Sequence, residues 1–339
     1  MRATLLAILT YILAPLVHAA PFQSALEPAG PQADRVHDLW QLMLWISTIM
    51  GLAVVVAMLV ALWRAPRATE ATPPDAEATR RPEPVLRTWV VGALTVSVIG
   101  LFVLLVASVA TDRALARLPL GEGVVIEVIG HQWWWEVRYD NADPSQIFTT
   151  ANEMHVPVGK PVLLKLQSSD VIHSFWAPNL AGKKDLIPGH TLTLQFRADK
   201  PGTYRTQCAE FCGFQHANMA LTVTAESAED YGRWVQAQLK PAAEPTTPEQ
   251  QHGKEVFLGS TCPMCHAIQG TTALAKRAPD LTHLASRATI AAGTVPNTRG
   301  HLAGWIVDPH SIKPGVNMPS NTLPPQDLQA LLAYLGNLK

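Results

Sequence analysis

The stretch Cys208-Ala-Glu-Phe-Cys-Gly-Phe-Gln-His-Ala-Asn-Met219 places two thiols, an imidazole and a thioether within a single short segment. Soft sulfur ligands favour copper over hard ions, and imidazole binds copper as well. A single-copper site needs one cysteine, so a second cysteine allows two thiolates to bridge two metal ions. Cys208, Cys212, His216 and Met219 are therefore predicted copper ligands. The second imidazole must come from elsewhere, and His173 in D-V-I-H-S-F-W is the candidate.

The residues around this stretch alternate between short β-branched or aromatic runs and turn residues, from about residue 112 to residue 239. The runs are Val124–Val128, Trp133–Tyr139, Val162–Gln167 and Thr191–Phe196. Short strands at this spacing predict a β-sandwich or barrel. Such a scaffold holds its loops rigidly, as a metal site for electron transfer requires.

The first twenty residues have the layout of an export signal. Arg2 precedes an apolar run from Leu5 to Val17, and the small residues Ala19 and Ala20 follow. The apolar run is shorter than the roughly 20 residues that cross a bilayer. Residues 1–20 are therefore predicted to be a signal peptide rather than a membrane helix.

Two longer apolar stretches without charged residues follow, within residues 38–111. Helices over about 39–63 and 88–111 are long enough to cross the hydrocarbon core. Trp40, Trp63 and Trp89 lie at their ends, where interfacial tryptophans are enriched. The alternative is a buried helical hairpin of a soluble protein, but 48% hydrophobic and only 16% charged residues favour the membrane.

Arginines mark the segment between the two apolar stretches as cytoplasmic by the positive-inside rule. They are Arg64, Arg67, Arg80, Arg81 and Arg87. The chain after residue 112 is then outside the cell membrane, in agreement with the signal peptide. The net charge of -1 gives no reason to expect a nucleic-acid partner.

The run Cys262-Pro-Met-Cys-His266 is typical of covalent c-type haem attachment. The two thiols bond to the haem, and His266 ligates the iron. Met318 in K-P-G-V-N-M-P is the predicted sixth ligand, because a Met/His pair suits an electron carrier. Its rivals are Met264, His283, His301 and His310. The run lies in a predicted helical domain over 252–339, which the proline-rich linker 240–251 precedes.

Three other readings of the cysteines are open. A disulfide framework is possible in an exported protein, but each cysteine pair lies inside a fuller metal or haem pattern. A structural zinc site would explain two cysteines and two histidines, but not Met219. A redox dithiol would explain C-x-x-C, but not the adjacent His266.

Residues 30–225 resemble cytochrome c oxidase subunit II, a two-helix hairpin followed by a cupredoxin-like domain. The resemblance lies in G-H-Q-W-W-W-E from residue 130, D-V-I-H-S-F-W, K-D-L-I-P-G from residue 184 and the cysteine run. It implies a binuclear copper A centre whose ligands also include the backbone carbonyl of Glu210. It further implies that the Glu210 carboxylate reaches a magnesium ion shared with subunit I, and that electrons enter at Trp133.

Residues 252–339 resemble a class I cytochrome c, similar to the extension of caa3-type oxidases. A-P-D-L-T-H-L-A-S-R from residue 278 and H-L-A-G-W-I-V-D-P-H-S-I-K-P-G-V-N-M-P from residue 301 carry this resemblance. Together the resemblances imply a multi-pass subunit of the bacterial inner membrane, with its copper and haem domains in the periplasm. Electrons from cytochrome c or another donor would pass to oxidase subunit I, with subunit III as a further partner.

Neither apolar stretch contains a histidine that could hold an oxygen-reducing haem, so that chemistry is expected in another subunit. A nitric-oxide reductase subunit with the same copper motif is an alternative, because only the partner's active site separates the two. A membrane-tethered electron carrier is a second alternative, although one helix would suffice as its anchor. A nitrous-oxide reductase would need a large additional propeller, and a copper-free quinol oxidase subunit would lack the copper ligands.

Overall fold

The computed structural model describes residues 23–65, 83–118, 121 and 123–339. The predicted signal peptide and most of the arginine-bearing loop lie outside the described residues. The chain divides into two compact units, one formed by 31–121 and the other by its N-terminal residues up to 30 together with 122–339.

The first unit contains two long helices, α1 (Pro31–Arg64) and α2 (Glu83–Ala116). Each has 34 residues and reaches beyond the predicted apolar stretch at both ends. Both are long and apolar enough to cross a membrane. Hydroxyls inside α2 donate back to carbonyls of the preceding turn, as Thr95 does to Val91, so these polar groups are satisfied within the helix.

The second unit begins its main part with ten strands. They are β1 (Val124–His131), β2 (Trp134–Tyr139), β3 (Phe148–Ala151), β4 (Glu153–Pro157), β5 (Pro161–Ser168), β6 (His173–Phe175), β7 (Lys184–Leu186), β8 (Leu192–Arg197), β9 (Gly202–Gln207) and β10 (Ala220–Glu226). One sheet has the order β3-β2-β1-β5-β8, a second has the order β4-β10-β9, and β6 pairs with β7. We call residues 123–226 the β domain.

The core of the β domain follows the alternation that the sequence shows. In β1, Ile126 and Val128 are buried, and in β2 the buried residues are Trp135, Val137 and Tyr139. Successive side chains on a strand point to opposite faces. The apolar face of each sheet therefore turns inward, which fixes the loops between the strands.

The remaining chain is mainly helical. Its elements are α3 (Ala228–Gln238), α4 (Pro248–Gly259), α5 (Arg299–Val307), α6 (Pro309–Ile312) and α7 (Pro325–Leu335), with a small ribbon of β11 (Thr289–Ile290) and β12 (Val295–Pro296). We call residues 248–339 the helical domain. The α4 helix begins at Pro248, inside the predicted linker.

Helices α4 and α7 form the centre of the helical domain. Leu331, Leu332 and Leu335 on α7 are buried together with Phe257 on α4. A Cβ atom at Gly253 would lie 2.0 Å from the carbonyl oxygen of Ala330. Only glycine therefore permits the close approach of these two helices.

Candidate metal and haem sites

The ends of three strands bring the predicted copper ligands together. His173 opens β6, the Cys208–Cys212 loop follows β9, and Met219 immediately precedes β10. His173, Cys208, Cys212 and Met219 are buried, and His216 is half-buried. The β domain thus positions all five side chains from one cluster of loops.

The sulfur and nitrogen atoms of this cluster lie within a few ångströms of one another. The two Sγ atoms are 3.8 Å apart, well beyond a disulfide bond of about 2.05 Å. Cys208 Sγ is 3.9 Å from His173 Nδ1, and Cys212 Sγ is 3.6 Å from His216 Nδ1. Met219 Sδ is 3.8 Å from Cys212 Sγ. Each thiol therefore lies beside a different imidazole, and the Met219 thioether lies beside Cys212.

The electrostatics of the two thiols favour a bound cation. The contact between them lowers the pKa of Cys208 to about 3 and raises the pKa of Cys212 above its ordinary value. One thiol thus ionises readily, and its charge opposes ionisation of the other. Metal ions coordinated by both sulfurs would remove this conflict. The soft donor set fits copper.

Asp170, which the sequence did not single out, orients the first imidazole. Its Oδ1 lies 2.8 Å from His173 Nε2, which leaves Nδ1 facing Cys208. Its Oδ2 accepts from the backbone N–H of Gln132 at 2.7 Å. Burial pushes the pKa of Asp170 up, but hydrogen bonds, first among them the one to His173, hold it below its ordinary value. Such carboxylate–histidine pairs fix the tautomer of a metal ligand.

Glu210 contributes two groups in different positions. Its backbone carbonyl oxygen is 3.3 Å from Cys208 Sγ. Its carboxylate points away, to Lys183 Nζ at 3.2 Å, and the same amine reaches Asp185. Among the described residues, His173, Cys208 and Cys212 form the only group of three or more histidine, cysteine or carboxylate ligands whose ligand atoms lie within 4.8 Å of one another. The predicted magnesium therefore has no support in this structure.

Trp133 contacts one of the predicted copper ligands, Cys212. It is buried, and its indole Nε1 donates to the carbonyl of Cys212 at 2.9 Å. Gln132 Nε2 donates to the same carbonyl at 2.7 Å. The carbonyl of Trp133 itself accepts from Lys313 Nζ at 2.7 Å. Trp133 thus connects a copper ligand to the helical domain.

The helical domain contains a cavity of about 430 Å³, and Trp133 is part of its wall. Cys262, Cys265, His266 and Met318 all line it. His266 Nδ1 lies 2.7 Å from the carbonyl oxygen of Pro279, so Nε2 is left for an iron ion. These residues fit a covalently attached haem.

The rivals of Met318 are less well placed. Met264 also lines the cavity, but it lies between the two attachment cysteines and is 69% exposed. His283 Nε2 contacts the carbonyl oxygen of Lys240 instead. His301 contacts the Thr298 hydroxyl, and neither it nor His310 lines the cavity.

Part of the cavity wall belongs to the β domain. Gln132, Trp133, Trp134 and Asn152 line it together with the haem-binding residues. Lys313 also lines it and is buried; burial lowers its pKa to about 7, although Cys212 acts in the opposite direction. The sequence motifs did not single out Lys313, because its partner Trp133 lies 180 residues away.

Comparison with known proteins matches these two domains separately. Residues 124–226 match the family "Cytochrome C oxidase subunit II, periplasmic domain", and residues 250–339 match the family "Cytochrome c". A curated relative from Alkalihalophilus pseudofirmus, "Cytochrome c oxidase subunit 2", is 33% identical and covers 93% of this chain and 91% of its own. The protein of the same name from Bacillus subtilis is 29% identical over 94% of this chain and 92% of its own. These matches confirm the predicted fold class of membrane helices, β domain and helical cytochrome domain.

Proposed function

Because this chain belongs to the cytochrome c oxidase subunit II family and carries a C-terminal cytochrome c domain, we propose that it receives electrons at the haem domain and delivers them through the copper site to the oxygen-reducing subunit. The observation that carries the proposal is the position of Trp133. It lines the haem cavity and donates a hydrogen bond to Cys212. One buried side chain therefore touches both sites.

The copper ligands in this proposal are the side chains of His173, Cys208, Cys212, His216 and Met219, with the carbonyl oxygen of Glu210. Their mutual distances of 3.3–3.9 Å support a compact centre. Cys262 and Cys265 attach the haem, while His266 and Met318 ligate its iron. When bound, the copper pair and the haem supply reversible one-electron transfer.

The chain's own residues keep both sites rigid. Asp170 orients His173, and the Pro279 carbonyl orients His266. Gln132 and Trp133 hold the Cys212 carbonyl from two sides. Ligands fixed in this way move little when the charge of a bound centre changes, which favours fast electron transfer.

We place the β and helical domains on the periplasmic side of the inner membrane. The backbone N–H of Ala29 donates to Asn179 at 2.7 Å, and that of Asp199 donates to Ala29 at 2.7 Å. Residues 23–30 thus fold with residues that follow both long helices. An even number of membrane crossings must lie between them, in agreement with two spans. The matched subunit II family is described as periplasmic.

The oxygen-reducing site belongs to a partner in this proposal. Neither long helix contains a histidine within its apolar part, from Leu39 to Leu62 and from Thr88 to Thr111. The chain is a subunit of a multi-subunit haem-copper oxidase, and we propose subunits I and III as its neighbours. Cytochrome c or a similar carrier would be the donor.

The test is to purify the complex with its full-length chain and to measure metal content and the electron paramagnetic resonance spectrum. We expect the resonance spectrum of two copper ions that share one electron, and one covalent haem for each copy of the chain. A single-copper spectrum or bound zinc would overturn the copper assignment. If no haem remained bound to this chain after acid–organic extraction, covalent attachment would be overturned.

A further inference from the structure

Lys313 is an amine buried where the helical domain meets the β domain. Its side chain is only 2% exposed. Nζ donates to the carbonyl of Trp133 at 2.7 Å and to the carbonyl of Ala291 at 3.1 Å. The residue follows α6, and its backbone N–H donates to Pro309. The amine thus reaches from the haem domain to the backbone of the tryptophan that contacts Cys212.

The partners of Lys313 are carbonyl groups rather than carboxylates. No carboxylate forms an ion pair with it among the residues that the structure describes. Burying an amine without a counter-ion costs free energy, and the two hydrogen bonds that Nζ donates offset only part of that cost. Stability of the fold therefore does not explain why an amine occupies this position.

Lys313 begins the loop that carries Met318, and other contacts hold this loop to the β domain. The Gln215 side chain donates to the Pro314 carbonyl at 2.7 Å, and Asn317 donates to the Gln132 carbonyl at 3.5 Å. Val316 packs against the core of the β domain. The loop with the predicted iron ligand is therefore attached beside Gln132, Trp133 and Gln215, all neighbours of the copper ligands.

We propose that Lys313 is a positioning residue for electron transfer between the two sites: it fixes the Met318 loop to the backbone of Trp133 and so sets the separation of the haem from the copper ligands. This inference rests on the proposed function. An amine donates hydrogen bonds in either protonation state, so the role does not depend on its titration.

The test uses the purified complex with the full-length chain and compares wild type, Lys313→Met and the control Lys276→Met. Methionine keeps the volume of the lysine stem but donates no hydrogen bond. Lys276 is an exposed lysine of the same domain. Haem is photoreduced, and the rate of the subsequent copper reduction is followed by absorbance. Copper and haem content, the copper resonance spectrum and the urea midpoint of the haem domain are measured on each sample.

We expect Lys313→Met to slow the electron transfer by about tenfold, because losing the hydrogen bond to the Trp133 carbonyl should lower the population of the correctly docked loop by about that factor. Copper and haem contents should match wild type, and the urea midpoint should stay the same or rise. A rate equal to that of Lys276→Met, with both centres intact, would overturn the inference and leave the proposed function standing. A lower urea midpoint with an unchanged rate would show a merely structural role and would also overturn it.

A second variant keeps the test decisive if Lys313→Met does not accumulate. Lys313→Gln retains a donor but is shorter and uncharged, so we expect a rate between wild type and the tenfold reduction. A wild-type rate in this variant would overturn the inference. A wild-type complex without the two-copper spectrum would contradict the proposed function itself. A normal spectrum with an unchanged rate in the variants would contradict only the role of Lys313.

Discussion

Glu153 in the β domain forms an ion pair with Arg287 in the helical domain. We therefore expect the change Glu153→Gln to destabilise the helical domain. Glu153 Oε1 lies 3.7 Å from Arg287 Nε, and both side chains are mostly buried. Arg287 also donates to the Thr150 hydroxyl at 3.3 Å and to the Asp280 carbonyl at 2.6 Å. The change Glu153→Gln keeps the shape and the acceptor for Thr150, so it removes mainly the charge.

The magnitude follows from this geometry. Two unit charges 3.7 Å apart attract by about 4 kcal/mol at an effective dielectric constant of about 20. Part of this is offset because Glu153 must be desolvated, and Arg287 Nε forms no hydrogen bond. Arg287 also keeps its other two hydrogen bonds in the variant. We therefore expect a net loss of about 1–3 kcal/mol in the free energy of unfolding.

The assay follows the haem absorbance of the full-length chain in detergent as urea is increased. The variant residue lies in one domain and the haem in the other, so a shifted haem transition measures coupling between them. Asp140→Asn is the control, because it breaks the solvent-accessible Asp140–Lys165 pair, which we expect to contribute under about 1 kcal/mol. A haem transition that responds equally to both variants, or to neither, would refute the coupling.

Four further predictions concern the two sites. Cys212→Ser should abolish the two-copper resonance spectrum while the haem content stays unchanged; loss of both would contradict separate sites. Met318→Ala should leave the haem attached but alter its absorbance and potential, and no change in either would show that Met318 is not the ligand. Asp170→Asn should weaken copper binding by about 10–100-fold, because it disturbs the support of His173, as measured by competition with a chelator. Burial lowers the pKa of Lys313 in the folded chain to about 7 from an ordinary 10.5. Between these pH values the unfolded chain binds more protons, so the free energy of unfolding should rise with pH. The urea midpoint should therefore increase from pH 7 to pH 9 by less in Lys313→Met than in wild type.

The four strands that the sequence predicted correspond to β1, β2, β5 and β8, whereas β3, β4, β6, β7, β9 and β10 were not predicted. The Val124–Val128 prediction extends to His131 in β1, and the Val162–Gln167 prediction gains one residue at each end in β5. The long helices were underestimated: α1 begins at Pro31 rather than near residue 39. Apolar composition detects only the part that suits the hydrocarbon core, whereas backbone hydrogen bonding continues into polar turns.

The ligand sets were accessible to sequence reasoning because most of them lie in short motifs. Their supporting residues were not. Asp170 lies only three residues before His173, but the sequence pattern does not show that its carboxylate turns back to the imidazole. Lys313 and Arg287 contact residues of another domain. Their partners lie 180 and 137 residues away. Such contacts depend on how two folded domains meet, and no local pattern in one chain encodes that arrangement.

The segment before α4 connects the two domains and is itself held by hydrogen bonds. Its proline and polar content predicted a linker over 240–251. In the structure, Ala242 donates to the Gln269 carbonyl at 3.0 Å, and Asn337 donates to the Glu244 carbonyl at 3.2 Å. Attachment through this segment makes docking of the helical domain on the β domain intramolecular. The contacts of Lys313 and Arg287 then form within one chain and hold the haem cavity against Trp133 without the cost of bringing two separate proteins together.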